Sequence, residues 1–353
     1  MFNFILVFLS LFFLIILHEF AHFLAAKKSG VLVEEFGIGY PPRIFGKKIG
    51  NTLYSLNLLP FGAFVRLEGE IGEKGFSSQP LFKRMIIVLA GVISFWLIAC
   101  IIFIFLFKLG MPRAISDDEI SNNPKVYIME ISKNSPAEIS GLQIGDIIKE
   151  FKFQNERWKI EKVKDLQELT QKYKGEKVVL IIERGKETFE VELVPRVSPP
   201  AGEGPIGISL VRAEIKQYPF LTAILEGIKT TYNLTLAIIK GYISLVYNLL
   251  KKTPIEVELA GPVGIFHVMY QTSKMGMIYF FNLLGVISVY LAVFNSLPIP
   301  ALDGGKCLFL MIEAIRKKPI SPKTEGKITA FFFGLLLILA ILVTIKDITK
   351  IIQ

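Results

Sequence analysis

Residues 1 to 28 read MFNFILVFLSLFFLIILHEFAHFLAAKK. An uncharged run from Met1 to Leu17 leads into His18 and Glu19, continues to Ala26, and is closed by Lys27 and Lys28. A helix rises about 1.5 Å per residue, so His18 stands about 25 Å along it from Met1. A carboxylate at that depth costs about 2.5 to 3.5 kcal/mol on insertion scales unless it has a partner or a task, which argues against simple snorkelling to the headgroups. No Lys or Arg precedes the run and no small-residue cleavage site follows it. A retained transmembrane helix over residues 1–26 is therefore expected, with its C-terminal end cytoplasmic. Within it, His18-Glu19-Phe20-Ala21-His22 is an HExxH pattern. At about 100° per residue the two histidines lie about 40° apart on one helix face, where both imidazoles can reach one zinc ion, with Glu19 beside them as the base for a water.

The rest of the chain has the composition such a helix requires. Of 353 residues, 52% are hydrophobic and 20% charged, and the mean hydropathy is +0.51. This excess over one soluble core argues against a cytosolic enzyme, a disordered chain, collagen or a disulfide scaffold. The net charge of +9 comes from 40 Lys and Arg against 31 Asp and Glu, but the cations cluster beside apolar runs. The positive-inside rule explains that pattern better than nucleic-acid binding does. Cys100 and Cys307 have no partner spacing and read as packing residues.

The charge bias orders the segments. Residues 27–84 carry Lys27, Lys28, Arg43, Lys47, Lys48, Arg66, Lys74, Lys83 and Arg84 and are expected on the cytoplasmic side. A second span follows over 85–108, then a mixed, charged domain over 114–212 on the far side, a third span over 277–305, a basic cytoplasmic loop over 306–327 and a fourth span over 328–346. Residues 218–252 are apolar but interrupted by Lys229, Lys240, Lys251 and Lys252. A span there would put the basic loop 306–327 outside, so an interfacial amphipathic helix is preferred. The expected architecture is a polytopic α-helical membrane protein with four transmembrane helices and both termini outside.

A catalytic zinc needs a third protein ligand and an open position. His267 lies before the third span, most of a bilayer from His18, and Asp303 is the better candidate. It ends Asn295-Ser-Leu-Pro298-Ile-Pro300-Ala-Leu302-Asp303 at a depth comparable with the histidine pair. Pro298 and Pro300 break the helix there, and non-helical backbone at membrane depth is tolerated where it is buried in protein or lines a wet cavity. A plain proline–glycine helix exit is the competing reading.

HExxH in the first span, followed by Asn-x-x-Pro-x-Pro-x-Leu-Asp-Gly in a later one, resembles the site-2 protease family of intramembrane zinc metalloproteases. The order of parts is most similar to the bacterial regulator-of-sigma-E protease group. The resemblance covers nearly the whole chain. It implies Zn2+ bound by His18, His22 and Asp303, Glu19 as catalytic acid/base, and Asn295 positioning the substrate or the oxyanion. It also implies a bacterial inner-membrane location with the active site toward the cytoplasm. The substrates it implies are single-pass membrane proteins such as an anti-sigma factor, or signal-peptide remnants.

Gly37-Ile38-Gly39-Tyr40-Pro41-Pro42, Asn51 to Asn57 and Leu59 to Arg66 resemble the family's membrane-associated β-hairpins. A strand edge beside the zinc would hold a substrate extended, whereas a peptide bond inside a helix is shielded. Ser135 to Ile148 resembles the signature of a PDZ domain, with strands at 126–131 and 147–151, a helix at 166–173, and a hairpin of 178–182 with 189–193. A single such signature is present, which fits a gate, a tail binder or a rigid spacer. Gly261-Pro262-Val263-Gly264-Ile265 marks a turn or a loosened helix start. Two rivals stand beside the protease reading: an inactive scaffold with a structural metal, and a metal transporter, the latter disfavoured by the absence of an internal repeat.

Overall fold

The computed structural model describes residues 2–69, 75–185, 187–251 and 260–352. Lys74 and Lys252, counted above for the charge bias, lie outside them. The chain divides into two compact units, Met1–Ile104 with Ile224–Lys274 and Phe280–Gln353, and Phe105–Ala223 with Met275–Tyr279.

In the first unit, α1 (Phe2–Lys28) and α2 (Leu81–Leu109) are long and apolar. Between them lie β1 (Val33–Ile49) and β2 (Thr52–Leu67). Their register makes four strand segments in the order 63–67, 33–38, 53–56 and 43–49, because Glu35 to Ile38 pair with both Arg66 to Ala63 and Leu53 to Leu56. Buried Glu35 ties the segments together, accepting from Ser55 Oγ at 2.6 Å and Arg43 Nη2 at 3.0 Å and facing Arg66 Nη1 at 3.4 Å. The outer edge of 63–67 has no strand partner among the described residues.

Helices α5 (Phe220–Lys251), α6 (Pro262–Met275), α7 (Met277–Asn295), α8 (Asp303–Arg316) and α9 (Pro322–Ile352) follow the second unit's sheet. Among the described residues, five helices, α1, α2, α5, α7 and α9, are long and apolar enough to cross a membrane. α7 runs antiparallel to α2, with Gly285 against Phe103 and Ser288 Oγ donating to the Phe95 carbonyl at 2.8 Å. α5 is antiparallel to α2 as well: Gly227 lies against Ile104, Cys100 Sγ donates to Thr231 Oγ1 at 3.3 Å, and Trp96 Nε1 to Thr235 Oγ1 at 3.1 Å. These contacts pack the first half of α5, within the segment 218–252, beside α2. By helical spacing, Lys229, Lys240 and Lys251 lie off the face that carries Gly227, Thr231 and Thr235. The chain is nevertheless back beside the ends of α1 and α9 at α6, where Phe266 packs on Phe4 at 4.9 Å and Asp347 accepts from Gly261 N and Gly264 N.

The connection between α7 and α9 contains α8. Residues 306–327, expected as a loop, begin with most of this helix, whose Cys307, Phe309 and Leu310 are buried. Its apolar face packs with Ile87 and Val88 of α2, an anchor that the flanking basic residues obscured.

The second unit holds a sheet of β3 (Met111–Ala114), β4 (Pro124–Ile131), β5 (Ile147–Phe153), β6 (Glu156–Lys159), β7 (Val178–Arg184), β8 (Glu187–Leu193) and β9 (Ile208–Lys216), with α3 (Pro136–Ile139) and α4 (Val163–Lys172). The order is β3-β9-β4-β5-β7-β8, with β6 on β5. The strands and helix read from alternation in this segment are present within a few residues. Val126, Ile128, Ile148, Phe151, Leu166, Leu180 and Ile182 form its core. Ser135 caps α3, and buried Asp146 holds Arg184 through two 2.7 Å bonds.

Candidate metal centre

α1 delivers His18 and His22 to one side, as the four-residue spacing requires. Asp303 opens α8, immediately after the chain break that Pro298 and Pro300 impose. The break is compact: Ile299 N donates to Leu297 O at 2.7 Å and Leu302 N to Ile299 O at 2.9 Å. Gly304 and Gly305 allow α8 to start against this loop, because a Cβ there would lie 2.3 Å from the Leu297 carbonyl oxygen and 2.1 Å from that of Ile299.

The three side chains converge. His18 Nε2 and His22 Nε2 are 3.3 Å apart, and Asp303 Oδ2 is 3.4 Å from the first and 3.5 Å from the second. Zinc bonds of about 2.0 to 2.1 Å in tetrahedral geometry separate neighbouring ligand atoms by about 3.3 to 3.4 Å. The triangle therefore has the edge lengths of three zinc ligands. Asp303 Oδ2 is buried without a hydrogen-bond partner, a costly state that a cation relieves. These are also the three described residues that group as potential metal ligands. His267 is elsewhere, beside Gln271 on α6.

α2 builds the back of the site. The Ile87 carbonyl accepts from His22 Nδ1 at 2.8 Å, which assigns the proton to Nδ1 and leaves Nε2 as a lone-pair donor. Phe95 stacks on His18 with centroids 4.6 Å apart. Gly91 makes room for both rings, since a Cβ there would lie 2.1 Å from His22 Nε2 and 2.6 Å from His18 Cε1. Sequence reasoning missed these three residues; the only trace of one is a glycine inside an apolar run.

A cavity of about 280 Å³ adjoins the triangle, lined by Glu19, His22 and Asp303 together with Val65 and Leu67 of the hairpin edge and Glu325 and Thr329 of α9. Glu19 thus shares a cavity large enough for several waters with two of the three converging residues. Asn295 ends α7, and its Nδ2 donates to the Leu291 carbonyl at 2.9 Å.

Apolar helices long enough to cross a bilayer, with His18, His22 and Asp303 converging and Glu19 in the adjoining cavity, point to a membrane protein of the metal-dependent hydrolase type. The chain belongs to peptidase family M50, whose model matches residues 6–339. It is 33% identical over 340 residues to a Clostridium perfringens protein described as a candidate zinc metalloprotease, covering 95% of each chain. It is 26% identical over 422 residues to the regulator of sigma-W protease RasP of Bacillus subtilis, covering 96% of each. A zinc metalloprotease RasP of Oceanobacillus iheyensis is 26% identical over 427 residues, again with 96% of each chain covered.

Proposed function

We propose that this chain is a bacterial intramembrane zinc metalloprotease that hydrolyses peptide bonds in or beside the transmembrane segments of other membrane proteins. The reading rests chiefly on the triangle of His18 Nε2, His22 Nε2 and Asp303 Oδ2, with Glu19 in the adjoining cavity. These three residues would hold the zinc. Bound there, zinc supplies a Lewis acid and a water of lowered pKa. Glu19 takes the proton from the attacking water and returns it to the departing amide nitrogen. Asn295, at the helix end before the break, positions the substrate or the developing oxyanion. The unpaired edge of 63–67, with Val65 and Leu67 on the cavity wall, holds the scissile segment as an added strand. The test of the activity is direct: cleavage of a single-pass substrate by the purified chain should stop when zinc is chelated and return when zinc is restored. Cleavage that survives complete removal of zinc would refute it.

In the topology that fits best, α1, α2, α7 and α9 make four full crossings, with both termini extracytoplasmic and the metal toward the cytoplasm. The basic residues of 27–84 and the Lys and Arg of 306–327 support that orientation. α5 enters beside α2 without completing a crossing, because α6 begins beside the ends of α1 and α9.

The second unit fits a single extracytoplasmic PDZ domain. A groove of about 790 Å³ runs between α4 and residues 202–210, next to a β9 edge that β3 covers only from Ala213 onward. An extended tail can add there as a strand, and the domain gates or recruits substrates. Replacing residues 116 to 200 by a short linker should change which substrates are cut more than it changes zinc content or cleavage of a short model substrate. Equal loss of cleavage for every substrate, with zinc retained, would count against the gate. The sigma-W regulation in one relative's name supports a membrane-bound regulator such as a single-pass anti-sigma factor as substrate; signal-peptide remnants are the other class.

A further inference from the structure

Arg84 and Glu313 are charged side chains that hydrolysis itself does not use. Arg84 lies in the first turns of α2 and is only 8% exposed. Its Nη1 and Nη2 donate to the two Glu313 carboxylate oxygens at 2.7 and 2.8 Å, and its guanidinium lies 5.5 Å over the Phe76 ring. A forked pair of this kind fixes orientation as well as distance.

The position of the pair matters more than its strength. α8 begins with Asp303 and reaches Glu313 near its far end. α2 carries Arg84 one turn before Ile87 and Val88, then Gly91. Between the pair and the metal triangle, the two helices meet through Ile87, Val88, Cys307 and Leu310. The contact between them thus has a polar fork at one end and the convergent ligands at the other, joined by an apolar seam. Apolar burial is non-directional, whereas a two-bond fork fixes both distance and angle. A slip of one residue along α8 turns Asp303 by about 100° and shifts it about 1.5 Å, enough to carry Oδ2 out of reach of both imidazoles.

We propose that Arg84 and Glu313 are a positioning pair that sets the register of α8 on α2 and thereby holds Asp303 at the two histidines. This rests on the reading of His18, His22 and Asp303 as zinc ligands. The pair acts through Asp303 and touches neither metal nor substrate.

The test uses the full chain purified in detergent, as parent, Arg84→Met, Arg84→Lys, Glu313→Gln and His22→Ala. Zinc Kd is measured by chelator competition, the visible spectrum is recorded with Co2+ in place of zinc, and thermal unfolding of the metal-free protein reports folding. Arg84→Met and Glu313→Gln should weaken zinc binding by about tenfold or more and alter the Co2+ spectrum while metal-free unfolding remains cooperative. Arg84→Lys, which keeps the charge but loses the fork, should fall between parent and Arg84→Met. Parent-like Kd and Co2+ spectra in both Arg84→Met and Glu313→Gln, with His22→Ala deficient, would overturn the pair's role alone, whatever happens to the melting temperature. A parent that takes up no zinc, or a His22→Ala protein with the parent's Kd and spectrum, would overturn the metal centre and this inference together.

Discussion

Glu19→Gln is expected to retain about one zinc per chain and to lose cleavage by a factor on the order of 10³, within the range for removal of a general base. The substitution preserves the shape of the side chain and leaves His18, His22 and Asp303 untouched. It removes only the capacity to accept a proton in the cavity that Glu19 shares with His22 and Asp303. The measurement is zinc content and single-turnover cleavage of one single-pass substrate by parent and variant side by side. Zinc retained with cleavage at the parent's rate would exclude Glu19 as the base. Loss of zinc in the variant would instead make Glu19 part of the ligand set.

Gly91→Ala should have a large effect by another route, because it removes the space that the rings of His18 and His22 occupy. The added Cβ would lie 2.1 Å from His22 Nε2 and 2.5 Å from His22 Cε1, where real contacts essentially never occur. The ring must rotate away, which breaks the 2.8 Å contact between His22 Nδ1 and the Ile87 carbonyl and turns Nε2 from the triangle. Outer contacts of a metal-bound histidine are worth about 10- to 100-fold in metal affinity, and displacing the ligand itself costs at least that. Zinc affinity should therefore fall by about 100-fold and cleavage with it. Gly334→Ala, where an added Cβ meets nothing within 4 Å, is the matched control and should bind zinc as the parent does. Normal zinc affinity in Gly91→Ala would mean that α1 and α2 are not packed as described.

Much of this was legible along the chain. The HExxH spacing is a local property of one helix, so His18, Glu19 and His22 could be grouped without knowing anything beyond α1. Asp303 was legible because Pro298 and Pro300 break the helix at a depth comparable with the histidine pair, in a motif that resembles the family's. The strands of the second unit were readable because alternation reports a half-buried surface. The neighbours of α5 and α8 were not legible for a shared reason: both mix apolar and charged residues, and composition does not say which neighbour covers the apolar face. In α5 the seam of Gly227, Thr231 and Thr235 against α2 decides its placement, and no charge count reveals a seam.

The sequence by itself determined the class of chemistry, the membrane setting and the identity of the convergent side chains. His18, Glu19 and His22 follow from spacing within one helix, and Asp303 follows from a second motif whose pairing with the first resembles the family's. The tertiary structure alone decided what shapes the centre: the Ile87 carbonyl on His22, the absent side chain at Gly91, the stack of Phe95 on His18, and the Arg84–Glu313 fork that ties α8 to α2. They are contacts between elements far apart in the chain, where a carbonyl or a missing Cβ has no sequence signature. Their importance appears only when two helices are brought within a few ångströms of each other.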